Sequence, residues 1–475
     1  MHRSAQTVAA VLLAAGMVSS LASGADTDIF TGSTFSAKDV RFCDTPGIER
    51  PCAALPKDVT GFDSSFIYRF LSEGAQFPFD QFAWQTFVAL NWPVDGAGNP
   101  LSVDFGTAPA APRRWQYLAS AAEALPVVRE SGACGPEAPG TLTLTKFRQA
   151  DGFPLIDRAL NYVVYDTRLD PSMQAYIAAN GLGTRAGQKA FAAAKRPIGF
   201  PKGHYADKAK RRGGSAGAVV VKSAWRVLAG TAAPSTAPET VNGQAGRYFT
   251  RPGRIAIAAT DSADGRARCI EARLGLVAMH IARRTLSGNG DKWIWSSFEH
   301  VGNAPLAGNG RKPNDLFEDE FFPGGCRAPA AVGRDYAFFR AGCAECRPNR
   351  IAPADWTWAA APPYARAFSQ SGGFGTQVTR CWRIWAGTSK LNAFWRSRLA
   401  GTVWANYRLL SAQWRGNYGG DEFFGHGEVP RYLANPVIET YVQDQRDGTC
   451  LGCHAGAETT AGQAADFSFL FQRAR

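Results

Sequence analysis

Near its C-terminus the 475-residue chain reads Cys450-Leu451-Gly452-Cys453-His454, with only 21 residues beyond it. One helical turn separates the two thiols, and an imidazole follows directly. That spacing brings two sulfurs within reach of the two vinyl groups of a porphyrin and leaves the imidazole to ligate its iron. The pattern therefore predicts one covalent haem c, held by Cys450 and Cys453 with His454 as the proximal metal ligand. Its position constrains the fold further. None of the residues after His454 is Met or His, so any sixth iron ligand comes from upstream, and the preceding chain must build the pocket.

The upstream donors are Met173, Met279, His204, His280, His300 and His426. In LGLVAMHIA (274–282), strand alternation puts Leu274, Leu276, Ala278 and His280 on one face and Val277, Met279 and Ile281 on the other. Met279 and His280 cannot both face the iron. His300 shares a face with Phe298 and Ile294. A packed or hydrogen-bonded core residue is the commoner role for each of these side chains, so the sixth ligand stays open between Met279, His280, His300, another residue and none. A six-coordinate iron with both axial ligands from the protein favours electron transfer, whereas an open position admits a small ligand.

The first residues, MHRSAQTVAAVLLAAGMVSSLASGAD, set Arg3 before a short apolar run and then small residues. This reads as a signal peptide over 1–25, cleaved near Ala22 to Ala25, which directs the chain to the periplasm. No later stretch approaches about 18 consecutive apolar residues, so no transmembrane segment is expected in the mature protein. Ten Cys suit an oxidising compartment. With Cys450 and Cys453 assigned to haem, disulfides are expected among the rest, Cys43 and Cys52 forming one candidate pair that is close in sequence. Cys343-Ala344-Glu345-Cys346 precedes Arg347 rather than His, so it is not a second haem site; it reads as a structural disulfide, or alternatively as a redox-active dithiol.

A net charge of +12 in an exported chain does not point to nucleic acid. The basic run KGHYADKAKRRGG (202–214) reads as a solvated loop, or alternatively as a dock for an acidic periplasmic redox partner. The oligomeric state is not readable. Walker A and HExxH motifs are absent, GLGTRAG (181–187) lacks dinucleotide-binding spacing, and DLFEDEFF (315–322) reads as an acidic loop.

Residues 26–150 read as mainly helical, with helices in FAWQTFVALNW (82–92), where Phe82, Gln85, Val88 or Ala89 and Trp92 share a stripe, and in RRWQYLASAAEAL (113–125). Residues 151–305 carry the β pattern: NYVVYDTR, GAVVVKSAWRVL, GRIAIAATD, RLGLVAMHIARRT and KWIWSSFEHV, the last two joined as a hairpin through SGNGDK, with a helical insert over 171–195. Residues 306–475 are irregular and then helical, with helices expected over SKLNAFWRSRLAGTVWANYRLLSAQW (389–414) and from the Asn435 cap of ANPVIETYVQDQ. The expected fold is α+β, an antiparallel sheet covered by helices with a C-terminal helical haem-binding segment; 26–475 can form one compact unit.

WQTFVALNWP, VVVKSAWRVL, WIWSSFEHV, LANPVIETYVQ and CLGCHAGA with DFSFLF together resemble a group of large exported bacterial monohaem cytochrome c proteins. That resemblance implies haem and export without naming a reaction. GAVVVKSAW, LVAMHIARRT, DKWIWSSF, CLGCH and DFSF also occur in the order found in the β-sheet cytochromes c-prime and their hydroxylamine-oxidising relatives. That second likeness implies proximal ligation by His454 and an open distal side. In the hydroxylamine oxidisers a Lys is cross-linked to the porphyrin. Lys222 lies in a similar strand, with an ordinary surface lysine as the other reading.

Three functions are compatible with these residues. The first is single-electron transfer by a monohaem c-type cytochrome. The second is a haem enzyme or binder of NO, peroxide or hydroxylamine with an open distal site. The third is a secreted binding or structural protein whose haem only stabilises the fold.

Overall fold

The computed structural model describes residues 37–45, 47–60, 73–125, 132–135, 142–229, 240–241, 244–245, 247–286, 293–313, 325–332, 336–341, 347–352, 356–365, 377–415, 428–445 and 448–474. The expected signal peptide over 1–25, the 287–292 connection, the acidic run 315–322, Cys343, Cys346 and His426 lie outside the described residues.

In chain order the elements are α1 (Glu73–Leu90), β1 (Ala119–Ser120), α2 (Ala121–Ala124), β2 (Thr143–Leu144), β3 (Val164–Leu169), α3 (Pro171–Ala179), α4 (Arg185–Ala193), β4 (Val219–Ala229), β5 (Thr240–Val241), β6 (Gln244–Ala245), β7 (Thr250–Ile257), β8 (Arg268–Arg284), β9 (Trp293–His300), β10 (Leu306–Arg311), β11 (Arg380–Trp382), α5 (Ala386–Arg398), β12 (Tyr407–Arg415), β13 (Glu428–Val429) and α6 (Cys450–Ala455). The fold is α+β. Nine strands form one sheet, β1-β3-β4-β8-β9-β12-β13, with β7 beside β8 and β2 beside β7. All its pairings are antiparallel except β2 with β7.

Strand β8 organises the sheet because it is 17 residues long. Its first half pairs with β7 and its second half with β9, while β4 runs along the opposite edge. Cross-strand neighbours share a face, so the register fixes what each face carries. Thr167, Lys222, His280, Ser297 and Ser411 form one row across five strands.

Met279, Ile281 and Phe298 belong to the other face, which α1 and α5 cover. Phe87 stacks on Phe298 at 4.2 Å and Phe79 on Trp414 at 4.1 Å. The Trp84 indole donates to Asn392 Oδ1 at 3.0 Å. Helix α1 is buried all round, including Asp80, Gln81, Gln85 and Thr86, so its apolar stripe marks only part of its packed surface.

Three expected helices differ. The run 389–414 is helical only through Arg398; Gly401 takes φ +81°, a conformation that stops a helix without strain at glycine. The chain then re-enters the central sheet as β12, clamped by Asn392, whose amide exchanges hydrogen bonds with both backbone groups of Leu409 at 2.8 and 3.0 Å. The run 113–125 forms a 3-10 turn, Arg114–Tyr117, and then the single turn of α2, which Ser120 and Glu123 cap reciprocally.

From Asn435 the chain makes successive turns rather than an α-helix. Asn435 does cap, accepting the Val437 N–H at 3.0 Å. The Thr440 N–H, however, donates to the side chain of Gln149 at 3.0 Å instead of continuing a helical ladder. Gln149 Nε2 also donates to the Val437 carbonyl at 3.2 Å.

Disulfides join Cys43 to Cys52, Cys134 to Cys269 and Cys326 to Cys381. Among the described residues no helix is long and apolar enough to cross a membrane.

Candidate functional site

The segment carrying the thiols is pinned before its helix begins. Gln413 of β12 accepts the Leu451 N–H at 2.8 Å, and its amide nitrogen donates to the Thr449 hydroxyl. Thr449 Oγ1 also accepts the Leu433 N–H at 3.3 Å. Leu451 is fully buried in an apolar cluster with Leu169, Trp295, Cys450 and Phe471. The single turn of α6 then places Cys450, Cys453 and His454 on one side, at i, i+3 and i+4. Cys450 is buried, Cys453 exposed and His454 half-buried. Neither cysteine is in a disulfide. Burial, with the Glu439 carboxyl adding to it, pushes the Cys450 thiol well up, so it stays protonated near neutrality.

The imidazole of His454 is fixed by the tail that follows it. Its Nδ1 lies 2.8 Å from the Phe467 carbonyl oxygen. A carbonyl only accepts, so Nδ1 carries the proton and Nε2 keeps its lone pair. Burial pushes the ring's pKa down to about 4, against the Phe467 hydrogen bond that raises it. The ring is thus a neutral donor at ordinary pH. It packs 4.1 Å from the Trp295 ring and edge-on to Phe469 at 5.1 Å.

The turn presenting the Phe467 carbonyl is strained. Asp466 and Phe467 adopt φ +47° and +63°, a left-handed conformation costly for non-glycine residues and held only where surroundings enforce it. Here Asp466 pairs with Arg284 at 2.8 Å and accepts the Phe200 N–H at 2.9 Å.

The upstream donors separate clearly. Met279 lies on the helix-covered face, its sulfur 3.8 Å from Asn91 Nδ2. His300 has both ring nitrogens engaged: Nε2 with the Arg247 carbonyl at 3.1 Å, and Nδ1 accepting the Gly302 N–H at 3.0 Å. It stacks on Tyr248 at 4.1 Å and is a satisfied core histidine. His204 bonds the Lys202 carbonyl at 3.2 Å in the basic loop, and Met173, on the buried side of α3, belongs to the apolar cluster that also holds Cys450 and Leu451. Of the donors on the strands, His280 alone lies on the sheet face that α6 packs against, and its ring lies within the electrostatic reach of His454.

On that face Thr167, Val220 and Lys222 remain half-exposed although β3 and β4 are interior strands. The sheet is therefore not sealed beside His454. Lys222 lies opposite His280, and Glu439 reaches over the row, 3.4 Å from His280 Nε2. Composition and spacing do not reveal Glu439, Trp295, Gln413 or the Phe467 carbonyl as site residues. Only the acidic-aromatic tail hinted at the last.

Two unbridged thiols one turn apart and a neutral imidazole with a free Nε2 fit a covalently bound porphyrin, which brings four nitrogens of its own. Among the described residues no group of three or more His, Cys, Asp or Glu side chains gathers as a metal cage. Comparison with known protein families, curated proteins and solved structures finds no match.

Proposed function

We propose that the protein is an exported monohaem c-type cytochrome that transfers single electrons in the periplasm. Cys450 and Cys453 would hold the haem through thioether bonds, and His454 Nε2 would ligate the iron. The observation that carries this reading is the 2.8 Å bond between His454 Nδ1 and the Phe467 carbonyl. Metal-ligating histidines almost always donate their second ring N–H to such an acceptor, which fixes the tautomer and raises ligand basicity. A bound haem would supply an iron that changes oxidation state by one electron. The protein supplies position and polarity: Trp295 and Phe469 restrict the imidazole, and the Asp466–Arg284 pair holds the turn behind it.

The exposed Cys453 and the half-exposed row on β3 and β4 suit an electron-transfer site, because a short path to the surface serves a redox partner. A second reading, an open distal side that takes a small ligand, is favoured by one observation. Met279 and His300 are committed elsewhere, while Lys222, His280 and Glu439 converge on the same face.

An optical redox titration of the exported protein tests the first reading. Reversible one-electron cycling is expected, and an iron that no donor or acceptor can cycle would overturn it. Carbon monoxide added to the reduced protein separates the two readings: unchanged bands mean two protein axial ligands, and a shifted Soret band means an open position.

A further inference from the structure

Lys222, His280 and Glu439, on the sheet face that α6 packs against, have no role in attachment or proximal ligation. We propose that Lys222, His280 and Glu439 form a binding site for a small neutral weak acid, taken up with its proton and held as its anion. This rests on the haem reading above.

The site is built rather than incidental. Lys222 and His280 are cross-strand partners at the centre of the sheet. The segment bearing Glu439 is fastened over them: Asn435 Nδ2 donates to Ser297 Oγ at 3.1 Å and to the Phe298 carbonyl at 3.0 Å, and the Tyr165 hydroxyl donates to the Val437 carbonyl at 3.0 Å. Glu439 Oε2 accepts the Asn435 N–H at 2.8 Å, which aims the carboxyl at the row. His280 is buried, yet its Nε2 makes no hydrogen bond, lying 3.4 Å from Glu439. Lys222 sits 5.7 Å over the Tyr165 ring and makes no ion pair among the described residues. The buried His280 nitrogen without a hydrogen bond is costly unless something else completes it, and the half-exposed Lys222 stands beside it.

Charge decides what that is. Burial raises the Glu439 carboxyl to about 7, against the pull of Lys222, and raises Asp151, which lies in the field of the same lysine. Burial likewise keeps His280 neutral, with Lys222 and His454 adding to it. One cation thus faces two reluctant carboxyls. With Glu439 ionised, Lys222 is already balanced, and adding a permanent anion would bury uncompensated negative charge, which a low-dielectric site resists. A weak acid HX avoids this. Its H–X bond breaks heterolytically, the proton passes to the Glu439 carboxylate, and the electron pair stays on X, which Lys222 stabilises. Nothing is oxidised or reduced, and the site's net charge is unchanged.

The test uses the exported protein after its covalent haem has been verified by mass. Cyanide, present near neutral pH as the neutral acid, and thiocyanate, a permanent anion, are titrated against the ferric Soret band. Glu439→Gln removes a negative charge and the proton acceptor together. It is expected to weaken cyanide binding by roughly tenfold or more while strengthening thiocyanate binding. Lys222→Met, at a half-exposed position, is expected to weaken both, which keeps the test decisive if the first variant does not fold. Both ligands unmoved by either variant, both moving together in Glu439→Gln, or no binding by a haem-carrying wild type would overturn the proposal alone. A chain that carries no covalent haem would overturn the underlying reading and the proposal with it.

Discussion

His454 and Phe467, 13 residues apart, are joined by a 2.8 Å bond from the imidazole Nδ1 to the backbone carbonyl. That carbonyl points correctly only because the preceding residue, Asp466, is held in a left-handed conformation by Arg284 and the Phe200 N–H. Both members of the ion pair are buried, so removing one strands the other. Asp466→Ala is expected to cost about 3 kcal/mol of stability in urea unfolding and to alter the Soret band by freeing the imidazole. Asp466→Asn keeps an acceptor for Phe200 and is expected to cost less. A variant with wild-type stability and spectrum would separate the turn from the site.

Strand β8 divides two sulfur and nitrogen donors between its faces. Met279→Leu changes a residue packed beneath α1 and is expected to cost less than about 1.5 kcal/mol. Because it lies on the far face, the ferrous and ferric optical spectra should not change. His300→Gln is expected to lower stability for lack of its two hydrogen bonds, again with the spectrum intact. A spectral change on either substitution would contradict the face assignment.

The opposition of Met279 and His280 was readable from the residues alone, because strand alternation is geometric, but the pattern fails just before them: the register with β4 shifts between Leu276 and Ala278, so Leu274 and Leu276 pack with Met279 and Ile281 while Val277 packs with Ala278. The thiol pair and its imidazole were equally plain, since their chemistry is local. What the residues concealed depends on contacts between distant segments. Tyr407–Arg415 continues an apolar, aromatic run that suits either a helix or a strand, and only its pairing with β9 and the Asn392 clamp decide for a strand. The turns after Asn435 depend on Gln149, 291 residues before Thr440. The contact of Glu439 with His280 likewise joins segments far apart in the chain, and the Cys134–Cys269 bridge closes 135 residues.

Asp80, in the middle of α1, accepts hydrogen bonds from Gln76, Thr388 and the Ala412 N–H. Burial still dominates and raises its pKa from 3.8 to about 6. The folded state therefore binds this proton more tightly than the unfolded state, and its contribution to stability falls as pH rises from about 4 to about 6. At most about 3 kcal/mol is involved. Asp80→Asn, which retains an acceptor for Gln76 and Ala412, is expected to flatten that slope and to be relatively more stable near pH 8 than near pH 4. Parallel pH profiles of wild type and variant would exclude Asp80 as the cause.

The central claim is that two thioethers from Cys450 and Cys453 and one imidazole from His454 hold a haem. Its most direct measurement is the intact mass of the exported, denatured chain. Wild type is expected to carry the mass of one haem, which the Cys450→Ser, Cys453→Ser double variant loses completely while His454→Ala retains it with an altered spectrum. A wild-type chain at its bare polypeptide mass, or a double variant still bearing the group after denaturation, would contradict the account.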